Sequence, residues 1–330
     1  MQYQANLSPS LRDNVSTRRL MLEVAVTLLP AGAIGVWRFG MPALMLIVVS
    51  VGACISFEAL IQSILRKPVS VTDGSALVTG LLIAYNLPPA APLWFPIIGG
   101  AFAMIIVKAL FGGLGRNFVN PALAARALLM ASWPVAMVSF SAPGTMDAVS
   151  SATPLATLSV GALSSATTAA VAPASYLDLL LGNVAGCIGE VGRLAILLAG
   201  VYLILRNIID WRIPLAFIGG SALLSFISPW LDAGFAGTPM ADPLYYVLSG
   251  GLVLGAVFMA TDYVTSPSTR WGRVIFGAGC AVICFVIRAF GGYPEGVSFS
   301  ILLMNVAAPL IEKATMPRIY GRSRKAVKSA

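Results

Sequence analysis

The sequence predicts an all-α integral membrane protein of about ten spanning helices, arranged as two inverted five-helix repeats with some helices broken. Three observations predict it. Of the 330 residues, 58% are hydrophobic and only 10% are charged, whereas about a quarter are charged in an ordinary soluble domain. Apolar runs close to the roughly 20 residues that a spanning helix needs recur along the whole chain. The Lys and Arg residues between those runs form short clusters that a ten-span path places on one side of the bilayer.

The polar start, residues 1–19, ends in Arg18-Arg19 and lacks the short apolar stretch and small-residue cleavage site of a removable leader. The first apolar run is therefore read as a retained span. Spans follow near 20–37, 42–64, 92–110, 189–205, 213–228, 243–261 and 273–289. Three further runs, 73–87, 119–138 and 297–311, are short or interrupted by Gly, Asn and Pro, as in broken helices that line a protein-enclosed cavity. Arg12, Arg18, Arg19, Arg66, Lys67, Arg116, Arg206, Arg212, Arg270, Arg273 and the tail after Lys313 then share one side, which the positive-inside rule makes cytoplasmic.

No basic residue occurs between Arg126 and Arg193, and the Ser/Thr/Ala-rich stretch 139–175 in this gap is expected to face outward. The expected division is a cytoplasmic segment 1–19, a first five-helix repeat 20–138, the outer loop 139–175, a second repeat 176–311 and a basic cytoplasmic tail 312–330. The net charge of +8 follows from orientation and calls for no nucleic acid. The Arg322–Lys328 tail reads as a solvated anchor, with docking to membrane lipid or a partner as the lesser alternative.

The repeat is visible in the residues. Phe111-Gly112-Gly113 is echoed by Phe290-Gly291-Gly292, Pro88 by Pro267 and Gly100 by Gly279, with Val107/Val286 and Leu123/Leu302 on the same offset of 179. Five spans separate each pair, so the second copy runs in the opposite direction, the arrangement of many transport folds. Its broken helices nominate Asn86–Pro89, Asn117–Pro121, Thr261–Pro267 and Tyr293–Gly296 as cavity segments. Gly and Pro serve equally well for close packing and kinks.

The chain has no histidine, which removes His-ligated haem and the commonest proton shuttle. Cys54, Cys187, Cys280 and Cys284 lack CxxC spacing and read as small buried hydrophobes; Cys280 and Cys284 share a helical face and would ligate only with help from a partner chain. The ionisable residues within spans are Glu23, Glu58, Lys108, Arg126, Glu190, Arg193 and Asp262. Glu23, Lys108 and Arg193 are expected to snorkel or pair, Glu190 and Arg193 to meet on one helical face, and Glu58 and Asp262 to be the better cation candidates.

Asp147-Ala148-Val149-Ser150-Ser151-Ala152-Thr153 resembles the flavinylation motif Asp-x-x-(Ser/Thr)-Gly-Ala-(Thr/Ser), with Ser151 in place of the usual Gly. A Ser/Thr/Ala run alone is usually just a loop. The context is supplied by Asn117-Phe118-Val119-Asn120-Pro121-Ala122, Phe258–Pro267 and Tyr293–Phe299, long strings that, with the motif, resemble the D-subunit family of the Rnf electron-transport complexes. The family is also similar to the B subunit of the sodium-pumping NADH:quinone reductase.

The resemblance implies a bacterial inner-membrane subunit with both termini cytoplasmic, working with the A, B, C, E and G subunits of Rnf in a complex that couples electron flow between ferredoxin and NAD to Na⁺ or H⁺ transport. It implies FMN joined by a flavin transferase through a phosphoester to Thr153, with Asp147, Ser150, Ser151 and Ala152 completing the motif. It also implies a second, noncovalent flavin such as riboflavin, for which Asn117, Asn120 and Asp262 are candidate hydrogen-bonding residues, and Arg126 is a candidate for offsetting the flavin phosphate or stabilising reduced flavin. No catalytic residue or metal site is expected in this chain alone. The competing readings are a urea-transporter-like solute channel, to which the inverted five-helix repeat is also similar, and a membrane scaffold without a chromophore.

Overall fold

The structure, a computed structural model, describes residues 16–66, 70–141, 150–151, 174–231, 239–291 and 295–317. Helix α1 (Thr17–Phe39) opens on Ser16, whose hydroxyl accepts the Arg19 N–H, and stops at Gly40, which adopts φ +72°. Helix α2 (Met41–Ile64) follows at once, with Pro42 in its first turn. The half-length α3 (Ser75–Tyr85) precedes α4 (Trp94–Ala101), which widens without a break into a π-helix over Phe102–Ala109. Asn120 then caps α5 (Pro121–Ser132), and the short α6 (Pro134–Met137) leads to strand β1 (Phe140–Ser141), which pairs antiparallel with β2 (Ser150–Ser151).

The second half runs through α7 (Tyr176–Leu181), a 3₁₀ turn at Ile188–Glu190, α8 (Arg193–Leu205) and α9 (Arg212–Ile227). It continues with α10 (Pro243–Leu248), α11 (Leu252–Leu254) extended by a second π-helix at Gly255–Met259, α12 (Arg270–Phe290) and α13 (Val297–Thr315).

Among the described residues, five helices are long and apolar enough to cross a membrane: Thr17–Phe39, Met41–Ile64, Arg212–Trp230, Arg270–Phe290 and Val297–Thr315. Four shorter apolar helices join them. The molecule is thus an all-α membrane protein, and large apolar side chains such as Trp37, Leu205, Trp230, Trp271 and Leu310 stand exposed where a bilayer would solvate them.

Three expected spans change character. The run 243–261 breaks at Gly250, which takes φ +69° and separates α10 from α11; hydropathy does not register such a backbone break. The run 189–205 begins as a 3₁₀ turn and becomes helical only at Arg193. Conversely 297–311, expected to be short, is an unbroken helix to Thr315 that contains Pro309.

Within the first half α2 packs on α3 and α4, and within the second α9 packs on α10 and α12. Glycines permit the closest approaches: a Cβ on Gly80 would lie 2.7 Å from Val51 Cα, and one on Gly277 would lie 2.8 Å from Ile213 O. The halves meet where α1 touches α8 and α5 touches α13. One large core runs through both halves, and a small satellite joins Phe140 to Ala185 and Cys187.

Candidate functional site

Two polar clusters lie inside this apolar body. The first sits beside the π-helix of α4, whose wider turn is a deviation often found at functional sites. There Lys108, 5% exposed, places Nζ 2.5 Å from Glu58 Oε1 and 2.7 Å from Ser75 Oγ. Gln62 also donates to Glu58, at 3.2 Å. Next to this pair is a cavity of about 100 Å³ whose polar lining includes Ser75, Thr79, Lys108, Asn117, Asn120, Thr261 and Asp262.

The asparagines are held by their own loops. Asn117 donates to Val119 O at 3.1 Å. Asn120 Oδ1 accepts the Ala122 N–H at 3.0 Å as the α5 cap, and its amide donates to Met259 O at 3.2 Å. Asp262 accepts from Thr265 Oγ1 at 3.1 Å and from the Val264 N–H at 3.4 Å.

The second cluster joins the halves. Arg126 on α5 forms an ion pair with Glu295, ahead of α13, and its Nη1 lies 2.5 Å from Asn86 Oδ1. Cys187 Sγ lies 3.6 Å from Arg126 Nη2 and 3.4 Å from Asn86 O. The ligand-capable atoms of Cys187, Glu190 and Glu295 all fall within 4.8 Å of one another.

All five side chains are buried, and Glu190 Oε1 has no hydrogen-bond partner among the described residues. The run around Glu190 needs glycine: a Cβ on Gly186 would come 2.5 Å from Glu190 Oε2, and one on Gly189 would come 2.7 Å from Tyr85 Cβ. Met259 touches both clusters, its carbonyl accepting from Asn120 and its sulfur lying 3.7 Å from Asn86 Nδ2.

These features lie in a chain that matches, over residues 4–321, the model of the NQR2, RnfD, RnfE family. The chain belongs to that family. It is 48% identical over 95% of its length, and 94% of the relative's, to the D subunit of the Na⁺-translocating ferredoxin:NAD⁺ oxidoreductase complex of Acetobacterium woodii. It is 42% identical, over 96% of each chain, to the D subunit of the proton-translocating ferredoxin:NAD⁺ oxidoreductase complex of Clostridium ljungdahlii. A third similar protein, 38% identical over 94% of each chain, is the D subunit of the ion-translocating oxidoreductase complex of Stutzerimonas stutzeri.

In this NQR2, RnfD, RnfE family member the structure brings Asn117, Asn120 and Asp262 to one cavity. Arg126 is not with them. Its charge is matched by Glu295. Ser150 and Ser151 form β2, with Ser151 opposite Phe140 and Ser150 opposite Ser141. Asp147, Ala152 and Thr153 lie outside the described residues.

Lys108 pairs as expected, and its partner is Glu58, so Glu58 meets a protein cation instead of standing free as a cation ligand. Glu23 pairs with Arg19 at 3.2 Å and with Arg206 at 3.4 Å. Glu190 and Arg193 form no ion pair: the 3₁₀ turn and Gly192 interrupt the helix between them, and the Arg193 guanidinium donates to Leu179 O.

The sequence assigned no role to two members of the second cluster. Glu295 falls in the nominated cavity segment Tyr293–Gly296, but its partner Arg126 lies far away in sequence, and Cys187 reads as a small buried hydrophobe.

Proposed function

We propose that this chain is the membrane D subunit of an ion-translocating ferredoxin:NAD⁺ oxidoreductase complex, carrying FMN in phosphoester linkage on Thr153 and not catalytic alone. The observation that carries the reading is near-full-length similarity to proteins named as that subunit, at up to 48% identity, in a chain that contains the Asp147–Thr153 motif. One of those relatives is named for Na⁺ and another for protons, so the similarity fits either ion. On this reading the remaining Rnf subunits and a flavin transferase are its partners, the bacterial inner membrane is its location, both termini are cytoplasmic, and the two halves are inverted repeats.

The chemistry of the motif suits the modification. Thr153 offers one hydroxyl among small residues, and Asp147 offers a carboxylate to the metal of an attaching enzyme. Two residues before Thr153, Ser151 is paired with Phe140, which packs on Cys187. Bound flavin supplies one- or two-electron transfer, while the protein fixes its distance and potential. The contribution of this chain's residues is positional: Phe140 and Cys187 seat the strand, and Arg126, Asn86 and Glu295 lock the halves beneath it.

We extend the reading to a second, noncovalent flavin of riboflavin type at the inner cavity, supported by the convergence of Asn117, Asn120 and Asp262 there. The donor set suits an isoalloxazine edge. The space of about 100 Å³ is below the roughly 300 Å³ of small-molecule sites, so ring entry requires the cavity to widen.

The test is to express the chain with a flavin transferase, denature it and view the gel under ultraviolet light beside Thr153→Val. Fluorescence in the parent and none in the variant is the expected result; a dark parent band would overturn the covalent flavin and favour the channel or scaffold reading. Asn120→Ala is expected to release flavin that denaturation would otherwise extract from the parent, leaving the covalent band unchanged.

A further inference from the structure

Helices α1 and α8 run antiparallel, and α1 is closely packed against the segment that leads into α8. A Cβ on Gly192 would lie 2.9 Å from Ala31 Cα, and one on Gly35 would lie 2.9 Å from Ile188 O. From there toward the start of α1, helix α8 presents Ala195 and Ala199, one turn apart, whose small side chains leave space against α1. The result is a groove of about 790 Å³, walled by Leu22, Val26 and Pro30 of α1 and by Leu198 of α8.

The groove is apolar along its length and cationic at one end. Ser16, Arg18 and Arg19 line that end, and Arg206 reaches in to Glu23. Three guanidinium groups, those of Arg18, Arg19 and Arg206, stand against the single carboxylate of Glu23, and Arg18 forms no ion pair among the described residues. The first turn of the 23-residue α1 carries no acidic residue, and the Ser16 side chain takes only the Arg19 N–H. The N-terminal end of that helix therefore adds its own attraction for an anion.

Length selects the occupant. From Arg18 to Pro30 the helix rises about 18 Å at 1.5 Å per residue, close to one leaflet's share of a roughly 30 Å hydrocarbon core. A partner helix would need a seam along the full span, whereas this groove closes at Ala31. Tyr202 lies at the cationic end, at the depth where aromatic side chains mark the headgroup layer.

We propose that the α1–α8 groove is a binding site for one anionic phospholipid, its phosphate against Arg18, Arg19 and the α1 N-terminus and one acyl chain in the trough over Ala195 and Ala199. Basic pockets between spanning helices are the sequence-readable form of such recognition.

The test is native mass spectrometry of the full chain released from nanodiscs that mix phosphatidylglycerol and phosphatidylcholine. The parent is expected to retain one phosphatidylglycerol. Arg18→Gln/Arg19→Gln is expected to lower that preference about thirtyfold, from about fivefold for each basic residue. Ala199→Phe, which fills the trough, is expected to expel both lipids.

Equal retention of the two lipids by the parent, or unchanged retention in either variant, would overturn the proposal. So would displacement of the retained lipid by inorganic phosphate alone, which would mark a phosphate site without a trough, or a protein segment captured in the groove by cross-linking at Leu198. Should the double variant fail to fold, the lipid preference of the parent, the phosphate competition and Ala199→Phe decide the matter.

Discussion

The two buried polar clusters differ in what they connect. The second, Asn86–Arg126–Cys187–Glu190–Glu295, draws from both halves and is packed closed around the Arg126–Glu295 pair. The first keeps its charges, Glu58 and Lys108, within the first half and leaves a cavity beside them, to which the second half contributes Thr261 and Asp262. The contrast teaches that buried charge serves two purposes here. In one place it welds two helical bundles together; in the other it holds a π-helical turn beside space. Met259 touches both clusters.

Breaking the weld has the largest expected effect. Glu295→Gln leaves Arg126 charged and buried without its ion-pair partner, beside Asn86, Cys187 and the nearby Glu190 carboxylate, and is expected to cost about 3–5 kcal/mol, seen as a fall in thermal midpoint of the detergent-solubilised chain. Arg126→Met/Glu295→Met removes both charges and is expected to recover most of that loss. If the double variant is as unstable as the single, the pair is not the weld.

Lys108→Met tests the first cluster. It strands Glu58, which keeps its bond from Gln62, and is expected to cost about 3 kcal/mol while leaving contacts between the halves, read by cross-linking, as in the parent. A cross-linking change equal to that of Glu295→Gln would erase the distinction between the clusters.

Asn120→Ala removes the α5 cap and the bond to Met259 and is expected to cost about 1–2 kcal/mol, smaller because no charge is stranded.

The smallest expected effect concerns pH. Asp242, the cap of α10, accepts a hydrogen bond from Tyr176, and that bond holds its carboxyl below the ordinary range, with the Leu244 and Tyr245 N–H groups adding to it against the opposing effect of burial. A carboxyl depressed in the folded state contributes stability above its unfolded pKa and loses it as pH falls through the lower folded value. The contact should therefore weaken below about pH 4, and Tyr176→Phe should flatten that acid-side decline in a melting series.

Much of the fold is legible in the sequence because a bilayer demands long apolar runs; α1, α2, α9 and α12 appear where the hydropathy places them. The break at Gly250 is not legible, since a left-handed glycine leaves the run as apolar as before. The first cluster's cavity is legible through local grammar: Asn117 and Asn120 sit in one short loop before a proline-started helix. The second cluster is legible only as separate segments, Asn86–Pro89 and Tyr293–Gly296, because the meeting of Glu295, Arg126 and Cys187 is decided by packing between the halves. Spacing alone misjudged Glu190 and Arg193, which share a helical offset without sharing a helix.

The most direct test of the account is peptide mass spectrometry on the chain purified after co-expression with a flavin transferase. The peptide containing Asp147 to Leu155 is expected to carry the mass of one FMN joined by loss of water, with fragmentation placing it on Thr153. An unmodified peptide, or FMN on any other residue, would contradict it.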